Sequence, residues 1–183
     1  MKIGIDIDDT ITCTSELIIE YAKKHFNSDD DNFISDILRA KTIEGELLDF
    51  YNDYLIEMVG KYELKTDFKE VLEMLRAKGH RIIAITARGY TVDKGIIGAT
   101  EEYFKRADVS FDKMIFRSVE KSLPCNENSV DLMIDDSISV LKEVSEKGIK
   151  TLLFTSINNN DADVNFDRAN NWNEVFEYIE NLV

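Results

Sequence analysis

Two hydrophobic patterns alternate along this chain. Runs of consecutive apolar residues, rich in β-branched side chains, predict buried strands. Between these runs, apolar residues recur every three or four positions, which predicts helices that bury one face. Strands that alternate with helices of this length are typical of an α/β fold, in which a parallel sheet carries helices on both faces. The pattern predicts about five strands, at residues 2–7, 81–86, 113–116, 131–134 and 150–154.

One long stretch interrupts the alternation. Residues 12–65 contain segments with helical spacing and no run that predicts a strand. We interpret this stretch as a small helical cap inserted after the first strand, with the α/β core formed by residues 1–11 and 66–183. The predicted cap helices are at 15–25, 33–40 and 44–62.

The core segments have clear boundaries. Residues 66–78 and 137–147 show helical spacing, and each is followed by a glycine, which is common at helix ends. Residues 155–171 are polar and rich in Asn and Asp, so we expect a long loop there. A last helix is predicted at 172–182.

Composition narrows the class of protein and its partners. The chain has 36 acidic and 22 basic residues and a net charge of −14, which repels nucleic acid and anionic membranes, so we expect neither as a partner. No apolar run approaches the roughly 18 residues of a membrane span. Acidic residues come too early for a signal peptide, and two cysteines fit a reducing compartment, so we expect a cytoplasmic protein. The sequence leaves the oligomeric state open, and a homo-oligomer is compatible with it.

Acidic residues follow two of the predicted strands. Asp6 and Asp8 come at the end of the first strand, and Asp135 and Asp136 at the end of the fourth. Open parallel sheets bind ligands at the carboxyl ends of their strands. If the first and fourth strands are neighbours, Asp6, Asp8 and either Asp135 or Asp136 converge. A set of oxygen ligands favours Mg²⁺.

Short acidic runs also occur at helix caps and in calcium-binding loops. Aspartate side chains commonly cap helices, and we interpret Asp9 as structural. A calcium-binding loop starting at Asp6 needs glycine at its sixth position and glutamate at its twelfth. These positions hold Ile11 and Leu17, so the calcium loop is excluded.

Polar groups that suit a phosphate follow later in the chain. Thr86 closes the second strand, and the Ala87-Arg88-Gly89 segment after it offers backbone N–H groups to an oxyanion. Lys121 stands shortly before the fourth strand and could neutralise charge between a phosphate and the aspartate pair. Together these residues complete a set of nucleophile, acid/base, hydroxyl donor, cation and metal ligand.

This set resembles the motifs of the haloacid dehalogenase superfamily of phosphatases. More closely, the chain is similar to the type C cytosolic 5′(3′)-deoxyribonucleotidases and their bacterial relatives, over nearly its whole length. The resemblance implies a Rossmann-like sheet with a cap after the first strand. The segments that carry it are Asp6-Ile7-Asp8-Asp9-Thr10, Ile85-Thr86-Ala87-Arg88, Lys121 and Ile134-Asp135-Asp136-Ser137.

The resemblance also implies roles for these acids. Asp6 would be the nucleophile that forms an aspartyl-phosphate, and Asp8 would be the general acid and base. Mg²⁺ would be held by the Asp6 carboxylate, the backbone carbonyl of Asp8, and Asp135 or Asp136.

The other motif residues would serve the substrate. Thr86, Ala87 and Lys121 would hold the phosphoryl oxygens. Arg88 would contact a second anionic or polar group of the substrate.

The expected function is therefore that of a Mg²⁺-dependent phosphomonoesterase acting on a small phosphorylated metabolite. The resemblance favours a nucleoside monophosphate, and a sugar phosphate or another small phosphate ester is the alternative. A receiver-like signalling module would need an acid at the end of the third strand, where the chain reads Ile115-Phe116-Arg117. A non-catalytic binding module is the remaining alternative, although such a protein is expected to lack one of the motif residues.

Overall fold

The first strand of the chain lies in the middle of a parallel sheet. The computed structural model describes residues 1–40 and 42–182. Its strands are β1 (Lys2–Ile5), β2 (Arg81–Ile85), β3 (Lys113–Ile115), β4 (Leu132–Asp135), β5 (Lys150–Phe154) and β6 (Arg168–Ala169). They pair in the order β3-β2-β1-β4-β5-β6, and every neighbouring pair is parallel. The α/β sheet expected from the alternating pattern is confirmed.

The sheet differs from the prediction by more than a single residue in two places. β1 ends two residues early because the chain turns there, and the backbone N–H groups of Ile11 and Thr12 both donate to the carbonyl of Ile7, over 2.9 and 3.0 Å. β6 lies inside residues 155–171, which we expected to be loop throughout. Its two residues pair with β5 at the sheet edge, and so short a strand has no hydrophobic period to reveal it.

Three helices lie between β1 and the helix that precedes β2, where the cap is predicted. They are α1 (Thr14–His25), α2 (Asp31–Leu38) and α3 (Gly45–Val59). The helices of the remaining chain are α4 (Phe68–Ala77), α5 (Ile96–Arg106), α6 (Ser122–Asn128), α7 (Ile138–Ser145) and α8 (Trp172–Leu182). Among the described residues, no helix has both the length and the apolar character to cross a membrane.

Helices cover both faces of the sheet, so successive side chains along each strand are buried on opposite sides. On one side, Ile3 of β1 belongs to a hydrophobic cluster that includes Trp172 of α8. On the other, Met133 of β4 clusters with Leu141 of α7. This double burial explains why the strands are continuous apolar runs.

The two ends of the inserted segment are joined to each other just beyond the carboxyl end of β1. Thr12 and Leu64 form an antiparallel bridge, and the N–H of Lys65 donates to the carbonyl of Ile11 over 2.8 Å. Phe50 of α3 belongs to the same hydrophobic cluster as the β1 side chains. The helices occupy the predicted stretch, and their description as a separate cap domain stays a prediction.

Candidate active site

Three aspartates meet at the carboxyl ends of β1 and β4. These strands are neighbours, and the backbone N–H of Asp6 continues their pairing by donating to the carbonyl of Ile134 over 2.9 Å. Asp6 and Asp135 are buried, and Asp136 is partly buried. One carboxylate oxygen from each of the three lies within 4.8 Å of the other two. The pairing of β1 with β4 thus brings Asp6 together with both Asp135 and Asp136.

Lys121 lies between two of these carboxylates. It precedes the first turn of α6 and is buried. Its Nζ atom donates to Oδ2 of Asp135 over 2.7 Å and also contacts Oδ1 of Asp6. Burial opposes the charge of Lys121, but Asp135 and Asp6 outweigh it and raise the pKa of the ammonium. Lys121 therefore carries a permanent positive charge among the three aspartates.

Two of the three aspartates, Asp6 and Asp136, resist ionisation. Burial raises the pKa of Asp6 well above its ordinary value; the Lys121 charge opposes this, and the Asp135 carboxylate adds to it. Burial and the neighbouring Asp135 raise the pKa of Asp136 to about 7, although the hydroxyl of Ser156 donates to it. Buried carboxylates in such proximity need a cation to remain charged. Their oxygen atoms fit a hard divalent ion such as Mg²⁺, for which Asp6, Asp135 and Asp136 are the side-chain donors.

The Asp8 carboxylate binds Arg88. Oδ1 accepts from Nη2 of Arg88 over 2.7 Å, and Nε of Arg88 lies 3.1 Å from Oδ2. The hydroxyl of Thr14, the first residue of α1, also donates to Oδ1 over 2.9 Å. Burial works against ionisation of Asp8, but the charge and hydrogen bonds of Arg88 prevail and lower its pKa. Arg88 and Thr14 thus hold the Asp8 side chain in place where the chain enters the inserted helices.

Asp9 stabilises the start of α1. Its Oδ1 accepts from the backbone N–H groups of Thr14 and Ser15, over 3.1 and 2.8 Å. Its Oδ2 accepts from the side-chain amide of Asn158 over 2.9 Å. These contacts satisfy N–H groups that have no partner within the helix. They agree with the structural role that we assigned to Asp9.

Two of the predicted phosphate-binding residues, Thr86 and Ala87, lie at the end of β2. Thr86 is buried, and its hydroxyl accepts from the backbone N–H of Arg88 over 3.2 Å. Ala87 is exposed and lines a cleft beside Asp8. Their contact with phosphate, and that of Arg88 with a second substrate group, stay predictions.

The cleft beside Asp8 has a volume of about 300 Å³. Its walls include Tyr51 and Leu55 of α3, Tyr62, and the Ala87–Gly89 turn. A neighbouring cavity of about 660 Å³ extends between α1 and α2 and shares Tyr51 with the cleft. Space for a small molecule therefore adjoins Asp8, with the inserted helices forming one wall.

Sequence reasoning missed several residues that support the aspartates. Ser156, just after β5, donates to Oδ2 of Asp136 over 2.8 Å, and the amide of Asn159 donates to the carbonyl of Asp136 over 2.8 Å. Both lie in the polar segment that we expected to be loop. Their position directly after a strand was the available signal, because strand ends at this edge line the ligand site. Thr14 had no such signal.

Solved structures with the same architecture span nearly the whole chain. A haloacid dehalogenase-like hydrolase from Streptococcus pneumoniae is 17% identical over 97% of both chains, with a TM-score of 0.69. A predicted phosphatase from Clostridium acetobutylicum is 14% identical over 98% of both chains, with a TM-score of 0.73. The chain has the haloacid dehalogenase fold. At these identities the likeness establishes the fold alone.

A third structure with the haloacid dehalogenase fold was solved with phosphate. It is CbbY from Rhodobacter sphaeroides, 14% identical over 95% of both chains, with a TM-score of 0.69. A variant of that protein was solved with xylulose-(1,5)-bisphosphate. No protein-family model matches the chain, and no curated protein matches its sequence. The closer similarity to deoxyribonucleotidases stays a prediction.

Proposed function

We propose that this protein is a Mg²⁺-dependent phosphomonoesterase that forms an aspartyl-phosphate on Asp6. The observation that carries the proposal is the contact of Lys121 with both Asp6 and Asp135, next to Asp136. A buried cation and a group of metal-binding oxygens thus surround one carboxylate. This combination suits attack on a phosphoryl group, whose negative charge must be balanced on several sides.

Asp6 has a free oxygen for attack. Lys121 contacts its Oδ1, and no hydrogen bond among the described residues involves its Oδ2. In the first step, Asp8 in its protonated form gives its proton to the ester oxygen, while Asp6 bonds to phosphorus and the bond between phosphorus and that oxygen breaks. In the second, Asp8 takes a proton from the water that hydrolyses the aspartyl-phosphate.

The local charge explains the need for a metal. Among the described residues, five aspartates and two bases, Lys121 and Arg88, lie at the carboxyl ends of these strands, so full ionisation leaves three negative charges in excess. A phosphate dianion would be repelled. When bound, Mg²⁺ supplies positive charge that draws the phosphate in and stabilises the transition state. The five aspartates are Asp6, Asp8, Asp9, Asp135 and Asp136.

Two substrate classes follow from different observations. Tyr51 and Tyr62 line the cleft beside Asp8, and such aromatic walls suit the base of a nucleoside monophosphate. A sugar phosphate is the second candidate, because the CbbY variant of the same fold was solved with a sugar bisphosphate. We propose a nucleoside monophosphate as the substrate, and the assay includes both classes.

The test is phosphate release from deoxy- and ribonucleoside 5′- and 3′-monophosphates and sugar phosphates, with Mg²⁺ or with EDTA. Wild-type protein should release phosphate with Mg²⁺ and stop in EDTA. Asp6→Asn should be inactive, whereas Asp161→Asn, the same change at an exposed aspartate, should retain activity.

Each result has a defined consequence. A preference for sugar phosphates would replace the nucleotide assignment and leave the mechanism standing. Activity that survives in Asp6→Asn would overturn the aspartyl-phosphate mechanism. Folded wild-type protein that is inactive on every compound would favour a binding module instead.

A further inference from the structure

Arg88 is buried in a rigid set of contacts. Its Nη1 atom donates to the hydroxyl of Thr100 in α5 over 3.0 Å, while Nε and Nη2 bind Asp8. Its guanidinium carbon lies 5.1 Å from the centre of the Tyr62 ring. The Arg88 carbonyl also accepts from the backbone N–H of Arg117 over 3.0 Å. Backbone and side chain are therefore both held in place.

These contacts make Arg88 poorly suited to bind a substrate. Each of its three guanidinium nitrogens already has a partner within the chain, Asp8 or Thr100. Its side chain is only 4% exposed. To reach a substrate group from this buried position, Arg88 would have to move away from Asp8 and leave a partly buried carboxylate without its partner, which is costly.

We propose that Arg88 is a positioning residue that aims the Asp8 carboxylate at the leaving oxygen of the substrate. The inference rests on the proposed function. Arg88 binds both carboxylate oxygens of Asp8 with a planar fork, which fixes the plane of the carboxylate as well as its place. The hydroxyl of Thr14 fixes the same carboxylate from the side of α1. Lysine cannot reproduce the fork, because its ammonium is a single point of contact.

If Arg88 positions Asp8, the loss of kcat/KM in an Arg88 variant should depend on the leaving group of the substrate. An alkyl or sugar oxygen needs a proton from Asp8 to depart, whereas p-nitrophenolate departs without one. Proton transfer by a positioned acid contributes about 100-fold or more to rate. Loss of the Arg88 fork should therefore lower kcat/KM for an alkyl phosphate by about 100-fold and for p-nitrophenyl phosphate by less than about tenfold.

The experiment compares kcat/KM for both esters in wild type, Arg88→Lys, Arg88→Met, Asp8→Asn and the double variant Arg88→Met with Asp8→Asn. The value of kcat/KM reports the reaction steps up to release of the alcohol. Arg81→Met is the matched control, since Arg81 lies at the opposite end of β2, is exposed and pairs with Asp112. Circular dichroism establishes folding, and Arg88→Lys keeps the charge if Arg88→Met does not fold.

We expect both Arg88 variants to lose activity on the alkyl phosphate selectively. The double variant should have the same kcat/KM values as Asp8→Asn alone. Equal losses on the two esters would overturn the inference. A further large loss when Arg88→Met is added to Asp8→Asn would also overturn it, because Arg88 would then act on the substrate directly. Wild-type protein that is inactive on these two esters and on every nucleotide and sugar phosphate of the first assay would overturn the proposed function, and this inference with it.

Discussion

The ammonium of Lys121 donates to Oδ2 of Asp135 across 2.7 Å, and the same ammonium contacts Asp6. A single buried cation thus serves carboxylates at the ends of two neighbouring strands. The charge state of Asp6 depends on Lys121, and the stability of the strand ends that carry both aspartates depends on it too.

Replacing this cation should weaken both activity and stability. Lys121→Met should lower phosphatase activity by about 100-fold or more, the usual cost of losing a group that stabilises transition-state charge. In metal-free buffer at pH 8 it should lower the free energy of unfolding by about 3–5 kcal/mol, because two buried carboxylates lose their partner. The loss should shrink at pH 5, because the raised pKa of Asp6 lets that carboxyl group take up a proton as the pH falls.

Urea denaturation followed by fluorescence measures this effect, since the chain has one tryptophan, Trp172, and it is fully buried. Lys142→Met is the control, because Lys142 is an exposed base on α7. A Lys121→Met protein as stable as wild type at pH 8 would contradict the predicted coupling.

The stability of the metal-free protein should depend on pH through Asp136. Burial and Asp135 raise its pKa from 3.8 to about 7, so the folded protein binds this proton more tightly than the unfolded chain. Stability should therefore fall as pH rises from about 4 to about 7. Asp136→Asn should reduce that fall, and the raised pKa of Asp6 should leave part of it.

Thermal melts in EDTA across this pH range measure how the stability changes with pH. Adding Mg²⁺ should restore stability most strongly near neutral pH, where the ion relieves the repulsion between carboxylates. Stability that rises from pH 4 to 7 in EDTA would show that the sign is wrong.

Asp9 should contribute to stability through the start of α1. Asp9→Ala should lower the free energy of unfolding by about 1–2 kcal/mol, the usual cost of losing a helix cap. Asp9→Asn should cost less, since its amide oxygen still accepts from Thr14 and Ser15, and asparagine tolerates the φ of +57° at this position. Chemical denaturation of the three proteins gives the comparison, and equal losses in both variants would refute it.

Gly4 should tolerate no side chain in the middle of β1. A Cβ atom there would lie 2.8 Å from Sδ of Met133 and 3.2 Å from Cδ1 of Ile85. Gly4→Ala should therefore lower the free energy of unfolding by about 1–3 kcal/mol through overpacking. Gly98→Ala is the matched control, because Gly98 lies in α5 with open space around it and alanine favours helices by about 1 kcal/mol. The prediction fails if both changes alter stability alike.

Much of the fold could be predicted from the sequence because its strands are buried on both faces. The apolar run at β5 matched its predicted bounds, and the three inserted helices lie in the stretch where no strand was expected. β6 could not be predicted, because two residues at a sheet edge carry no period. Its strand conformation depends on pairing with β5, which local sequence preference does not report.

The order of polar residues along the chain was enough to identify those that could carry chemistry. These residues lie at or near strand ends: Asp6, Asp8, Thr86, Lys121 and the Asp135–Asp136 pair. Which of them are in contact became known from the folded structure. Neighbouring β1 and β4 join Asp6 to Asp135 through Lys121, whereas the Asp8 carboxylate binds Arg88. The physical reason is that strand order and side-chain direction arise from packing between segments far apart in the chain, and local sequence does not encode them.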